Sequence, residues 1–174
     1  MDKCSRTRFK KILSFISLTS GLLLVMPAVF ALSAEGDKKL EAQNLVKKAI
    51  VYTKNYGKDM AIKEMNTKNG LFSKNESYIF ALDKHGVLLA SSNTPEYVGK
   101  NRSNEQDPDG KFYNQEMMDK VEHGGGWVVY RYKNPETGKT ECKNSYVQSV
   151  TADMWVGAGY YFPENATTHK CEEQ

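Results

Sequence analysis

Catalytic signatures are scarce in this sequence of 174 residues. It contains three histidines and no G-x-S-x-G, H-E-x-x-H or C-x-x-C-H arrangement. Nucleophilic catalysis needs a nucleophile beside a base, and metal catalysis needs a cluster of ligands. The sequence therefore predicts that the protein is not an enzyme, and it predicts no cofactor and no metal site.

Loops that bind phosphate or calcium are also missing. The run Gly124–Gly126 precedes a predicted strand, whereas a phosphate-binding loop opens a helix. The segment Asp107–Gly110 lacks the alternating oxygen ligands and the distal glutamate of a calcium loop. We interpret this segment as a plain turn.

A basic surface is absent once the first 34 residues are set aside. Those residues carry five Lys or Arg and one acidic residue, so a chain of net charge +3 leaves about −1 for the remainder. No nucleic-acid partner is therefore expected. A secretory signal typically has a basic segment, an apolar run and small residues near the end of that run. Here these are Lys3–Lys11, Gly21–Leu32, and Ala28, Ala31 and Ala34. Cleavage is expected after Ala31 or Ala34, which leaves residues 35–174 as one domain.

An uncleaved membrane anchor is the alternative interpretation of the same segment. The stretch Ile12–Leu32 almost has the length of a membrane span, but the serines and Thr19 within it favour a cleaved signal. Contact with a membrane is therefore expected only if the segment stays attached. The protein is expected in the periplasm or outside the cell.

Cysteine is rare as well. Cys4 lies in the predicted signal, so Cys142 and Cys171 remain in the exported part. An even number of cysteines in an exported protein favours a disulfide bond between them. A two-thiol metal site is the alternative, but the sequence lacks C-x-x-C spacing and has only His169 near these cysteines.

The elements that the sequence does predict belong to an α+β fold. Apolar residues at helical spacing predict a long helix at Asp37–Thr53, and a shorter helix at Lys58–Met65. Strand-forming residues flank the turn Asp83–Gly86, which predicts a β-hairpin. The remaining predicted elements are a helix at Phe112–Glu122 and strands at Trp127–Tyr132, Thr140–Val150 and Met154–Tyr161.

Four blocks of sequence, in this order and spacing, resemble the single Cache domain of the type 2 kind. The first block runs from the aromatic strand through the D-x-x-G turn to V-G-K-N (Tyr78–Asn101). The second is a helix followed by G-G-G-W-V-x-Y (Phe112–Tyr132), and the third is N-P-x-T-G-K followed by K-x-S-Y-V (Asn134–Val147). The last is W-V-G-x-G-Y-Y (Trp155–Tyr161). Each block alone contains mostly residues that are typical of any strand or turn, whereas the order and spacing of the four blocks are specific for this family.

This resemblance implies a long N-terminal helix packed on a twisted, antiparallel, PAS-like sheet of about five strands. It also implies a sensor domain with a pocket for a small organic acid or a similar metabolite. Such domains usually lie between two membrane spans, and nothing that resembles a second span follows Tyr161. We therefore expect it to act in signal transduction through a partner, such as a membrane sensor kinase or chemoreceptor. A structural or interaction module that uses the same fold without a ligand is the alternative.

Ligand-binding candidates on the strands follow from the same resemblance. The K-x-S-Y-V block resembles the family's pocket strand, which makes Lys143 and Tyr146 candidates. Their positions differ in parity, so both reach one pocket only if a bulge or twist intervenes. Tyr130 and Tyr132 share one sheet face and Trp127 lies on the other, and either face is open as the pocket wall.

Candidates outside the strands are a cation and a lid. Arg102 follows V-G-K-N and is a candidate partner for a carboxylate, because its guanidinium forms paired hydrogen bonds. Phe112, Tyr113 and Met117 are candidates for the lid. Core packing is the alternative for each aromatic residue, and a solvated surface charge is the alternative for Arg102.

Overall fold

Two consecutive helices open the fold. The computed structural model describes residues 26–74 and 76–172, beginning with α1 (Met26–Tyr56) and α2 (Lys58–Met65). Gly57 separates the two helices with a φ of 83°, a left-handed conformation that glycine adopts without steric cost. Among the described residues, no helix is both long enough and apolar enough to cross a membrane.

The predicted signal falls mostly outside the described residues. Residues 1–25 are not described, and α1 begins at Met26 and continues through Ala31 and Ala34. Cleavage after either alanine stays a prediction.

An antiparallel sheet follows the helices. The remaining elements are β1 Ser73–Lys74, β2 Ser77–Asp83, β3 Leu88–Ser91, a 3-10 turn Pro95–Tyr97, α3 Tyr113–Glu122, β4 Gly126–Lys133, β5 Thr140–Thr151 and β6 Met154–Phe162. The strands of the sheet lie in the spatial order β3-β2-β6-β5-β4, and the short β1 pairs with the start of β2. This architecture confirms the predicted α+β fold, in which a long N-terminal helix packs on about five principal strands.

The hairpin between β2 and β3 is fixed by an aspartate. Asp83 Oδ1 accepts hydrogen bonds from the backbone N–H groups of His85 and Val87, at 2.8 Å and 2.9 Å. Gly86 completes the turn with a φ of 82°, and a Cβ at this position would also lie 2.8 Å from Ser103. The D-x-x-G sequence therefore closes this turn through one carboxylate and one glycine.

One face of the sheet packs against α1. Alternate residues of the central strands, Ile79 and Ala81 in β2 and Val156 in β6, are fully buried against apolar side chains of this helix that include Val46. Complete burial of a valine side chain stabilises the fold by about 1.5–3 kcal/mol. At the end of this layer, α1 is tied down by Lys38, whose Nζ pairs with Glu76 at 2.9 Å and donates to the Tyr161 carbonyl at 3.1 Å.

The other face packs against α3 and carries several aromatic side chains. They include Tyr78 and Phe80 of β2, Tyr130 of β4 and Tyr113 of α3. Glycine in β6 makes room for them, because a Cβ on Gly157 would lie 2.3 Å from the Phe80 ring. The W-V-G-x-G-Y-Y block thus lets an aromatic ring lie directly on a central strand.

The C-terminal tail is fastened to the sheet in two ways. The predicted disulfide between Cys142 of β5 and Cys171 is present in the structure. Arg131 forms ion pairs with Asp109 at 2.8 Å and with Glu164 at 2.9 Å, and it donates to the His169 carbonyl at 2.6 Å. Arg131 is therefore a structural tie for the tail.

Candidate ligand-binding site

A buried lysine lies at the centre of the α3 face. Lys143 sits in β5 between Tyr130 of β4 and Tyr161 of β6, and its side chain is 1% exposed. Its Nζ donates to the Tyr78 hydroxyl at 2.9 Å and lies 4.1 Å and 4.9 Å from the ring centres of Tyr78 and Tyr161. Among residues 26–74 and 76–172, Lys143 forms no ion pair with an acidic side chain.

Burial makes this ammonium group easy to deprotonate. The pKa of Lys143 falls from 10.5 to about 7, mainly through loss of hydration. The negative charge of Glu76 partly opposes this fall, and the positive charge of Arg102 adds to it. The surrounding rings attract a cation with their negative faces, but they bring no negative charge. An anion in this position would favour the protonated lysine.

Arg102 supplies a second cation beside the same aromatic groups. One guanidinium nitrogen donates to the Tyr132 hydroxyl at 3.1 Å and another to the Tyr113 hydroxyl at 3.4 Å. The guanidinium also lies 4.5 Å from the ring centre of Tyr97 and pairs with Glu105. Burial lowers the pKa of Arg102, but interactions with Tyr132, Glu105 and Tyr113 raise it overall, so the group stays charged. Its Nε is buried and has no acceptor.

Both cations line a small cavity, which we call the inner cavity. Its volume is about 20 Å³, which is room for roughly one water molecule. An outer groove of about 670 Å³ adjoins it, and Tyr78, Thr94, Arg102 and Tyr132 line both spaces. The full lining of the inner cavity is Tyr78, Phe80, Leu82, Leu88, Ser91, Thr94, Arg102, Tyr113, Asn114, Tyr130, Tyr132 and Lys143.

Two tyrosines of the cavity, Tyr113 and Tyr130, act as neutral hydrogen-bonding groups. Tyr113 and Tyr130 stack with ring centres 4.6 Å apart and an interplanar angle of 10°. Burial raises the pKa of the Tyr130 hydroxyl well above its ordinary value, and it raises the pKa of Tyr113 as well. These hydroxyls therefore stay protonated and can donate to an anion.

A family model described as Single Cache domain 2 matches residues 23–168. The chain belongs to this family. No curated protein matches it.

Solved structures of Cache and chemotaxis proteins share the fold. A methyl-accepting chemotaxis protein from Vibrio parahaemolyticus RIMD 2210633 superposes with a TM-score of 0.67 at 18% identity, covering 77% of this chain and 95% of that one. A Cache chemosensory domain described for carboxylic acid recognition gives 0.59 at 22% identity, covering 78% of this chain and 98% of that one. A periplasmic sensor domain of a chemotaxis protein gives 0.58 at 21% identity, covering 79% and 98%. At these identities the similarity establishes the fold alone.

In this Cache domain, five of the residues that the sequence singled out surround the inner cavity. They come from β4, β5, α3 and the loop after β3, and they are Tyr130, Tyr132, Lys143, Tyr113 and Arg102. The sequence did not decide which sheet face lines the cavity, and the structure shows that it is the face of Tyr130 and Tyr132. Ligand binding by these residues stays a prediction.

Two strand candidates lie on the opposite face of the Cache sheet. Tyr146 and Trp127 pack together on the α1 side, with ring centres 5.3 Å apart. The register of β5 shifts only at Ser149–Thr151, beyond Tyr146, so regular alternation turns Tyr146 away from Lys143. Tyr146 and Trp127 therefore do not line the inner cavity, and ligand binding by either residue stays a prediction.

Two lid candidates also lie away from the inner cavity. Phe112 precedes α3 and is 42% exposed, while Met117 is fully buried in the apolar cluster beneath α3. Neither residue lines the inner cavity or the outer groove. Only Tyr113 of the three proposed lid residues reaches the cavity.

Sequence reasoning missed several lining residues of this Cache domain. Tyr78 and Phe80 share one parity in β2, but only the pairing of β2 with β6 shows that this parity faces Lys143. Asn114 is 4% exposed, and its Nδ2 donates to the Arg102 carbonyl at 2.8 Å. Asn114 could have been noticed in the sequence only as a polar residue in the first turn of the predicted helix.

Proposed function

We propose that this Cache domain is an exported sensor module that binds a small organic acid, with the carboxylate held between Lys143 and Arg102. One observation carries the proposal: a buried ammonium group, without an acidic partner among the described residues, shares a cavity with a guanidinium group. An unpaired buried charge is costly, and a carboxylate supplies the missing partner. The solved Cache chemosensory domain described for carboxylic acid recognition supports the ligand class.

Binding requires the cavity lining to open. The present volume of about 20 Å³ accommodates roughly one water molecule, so even a two-carbon acid needs more space. The outer groove offers that space, because it meets the inner cavity at Arg102 and Tyr132. Movement of these two side chains joins the spaces and admits the acid.

Export and a partner protein complete the proposal. The signal is removed after Ala31 or Ala34, and the domain then works in the periplasm or outside the cell. It passes the binding event to a partner such as a membrane sensor kinase or chemoreceptor, and it catalyses no reaction. Intact-mass analysis of the exported protein tests the first step, because retention of residues 1–34 would mean an anchored module.

A module that uses the fold without a ligand is the second candidate function. The small volume of the inner cavity favours this candidate, because aromatic side chains already fill most of the sheet face. It predicts that no small molecule stabilises the protein.

A thermal-shift screen separates the two candidates. Acetate, lactate and succinate are added to the exported protein as sodium salts, with sodium chloride at matched ionic strength as the reference. A ligand that binds the folded state raises the melting temperature by mass action. A rise with at least one acid, lost in the variant Arg102→Met, supports the sensor module. No rise with any of these acids supports the ligand-free module.

A further inference from the structure

A carboxylate of the protein itself already pairs with the Arg102 guanidinium of the proposed site. Glu105 lies three residues after Arg102, and its Oε2 pairs with a guanidinium nitrogen of Arg102. The same oxygen accepts a hydrogen bond from the Tyr113 hydroxyl. Glu105 thus makes, with two lining residues of the inner cavity, the contacts that a ligand carboxylate would make.

The Glu105 side chain is partly exposed, whereas its partner is buried. The Glu105 side chain is 35% exposed and the Arg102 side chain is 10% exposed. A carboxylate that leaves this position can be hydrated at once, because it already borders solvent. Arg102 lacks that option, so its charge needs a replacement partner when Glu105 departs.

The backbone around Glu105 is held independently of its carboxylate. The Arg102 carbonyl accepts from Asn114 Nδ2 at 2.8 Å. Asp107, on the other side, accepts from the backbone N–H groups of Lys111 at 2.9 Å and of Arg131 at 3.0 Å. Rotation of the Glu105 side chain alone therefore vacates Arg102, without unfolding of the loop.

We propose that Glu105 is an internal competitor that sets the affinity of the site for organic acids. This inference rests on the proposed function, since it assumes that a ligand carboxylate reaches Arg102. Binding is then an exchange of one carboxylate for another. A tethered competitor acts at high effective concentration, so acids bind more weakly than the two cations alone would allow.

The substitution Glu105→Gln tests the exchange. Glutamine keeps the length of the side chain and an oxygen that accepts from Tyr113, but it removes the charge that competes for Arg102. We expect acetate, lactate or succinate to bind about 5- to 10-fold more tightly to this variant than to the wild type, as measured by calorimetry.

Glu116→Gln is the matched control. The Glu116 side chain is 38% exposed, close to the 35% of Glu105, and it pairs with Lys111 at 2.8 Å, but it lines neither the inner cavity nor the outer groove. Its affinity for the acids should stay within about twofold of the wild type if general electrostatics contribute little. An equal gain in both variants would show a general charge effect and overturn the competitor role.

A measurement on the wild type avoids dependence on the variants. The side-chain carboxyl carbon of Glu105 should change its NMR chemical shift when an acid saturates the protein, while that of Glu116 should not. An unchanged Glu105 signal, or an unchanged affinity in Glu105→Gln, overturns the competitor role alone if Arg102→Met still abolishes binding. If no acid binds to either protein, the proposed function fails as well.

Discussion

Replacement of Lys143 by methionine should weaken acid binding and stabilise the fold at the same time. Methionine keeps most of the aliphatic stem and deletes the charge. A hydrogen bond to a charged group contributes about 1.5–3 kcal/mol, so affinity for an acid should fall roughly 10- to 150-fold. Calorimetric titration with the acid that gives the largest thermal shift measures this loss.

The effect on stability follows from the sign of the pKa change. A fall in the pKa of Lys143 from 10.5 to about 7 represents a penalty on the charged form of the order of 5 kcal/mol. Between these values the unfolded chain binds the proton and the folded chain does not. The stability of the wild type therefore rises with pH across this window, and the penalty is fully present below pH 7.

Methionine removes the penalty but leaves the Tyr78 hydroxyl without this donor, which costs about 1–3 kcal/mol. We expect a net gain of roughly 2–4 kcal/mol at pH 6, which declines as the pH approaches 10.5. Urea unfolding at pH 6, 8 and 10 measures it, and Lys63→Met on the exposed side of α2 is the control. A variant that binds acids as the wild type does, and that is less stable at pH 6, would refute the reasoning.

Three further predictions concern pH, the disulfide and a glycine. An acid bound beside Lys143 needs the protonated lysine, so the affinity of the domain for the acid should fall above pH 7 by up to about tenfold per pH unit. Titrations at pH 6.5 and 8.5 measure this fall, and equal affinities at both values would mean that Lys143 plays no part. Replacing both Cys142 and Cys171 by alanine should lower the free energy of unfolding by about 2–4 kcal/mol, and two thiols detected in the unfolded, unreduced wild type would contradict the bond. Gly157→Ala should destabilise the domain by about 1–3 kcal/mol, because its Cβ meets the Phe80 ring, and an unchanged denaturation midpoint would contradict this.

The sequence indicated the elements of the fold more fully than the site. Turn residues such as Asp83 and Gly86 act locally, so their effect was readable without the rest of the chain. The assignment of faces was not readable, because it depends on the register between strands that are distant in sequence. Parity within β5 separated Lys143 from Tyr146 unless a bulge or twist intervened, but it did not show that the Tyr146 face lies beneath α1.

The size of the cavity was beyond sequence reasoning for a different reason. Its volume depends on where several rings come to rest, including the stacked pair Tyr113 and Tyr130. Ring positions are set by tertiary packing, which no local pattern encodes. The contact between Glu105 and Arg102 depends in the same way on the path of the loop after Arg102.

The ion pair that attaches α1 through Lys38 also affects the charge of Lys143 in the cavity. Lys38 pairs with Glu76, and the negative charge of Glu76 is what opposes the loss of the proton from Lys143. One carboxylate between β1 and β2 therefore serves two purposes, because it fastens the N-terminal helix and also favours the protonated form of the buried lysine.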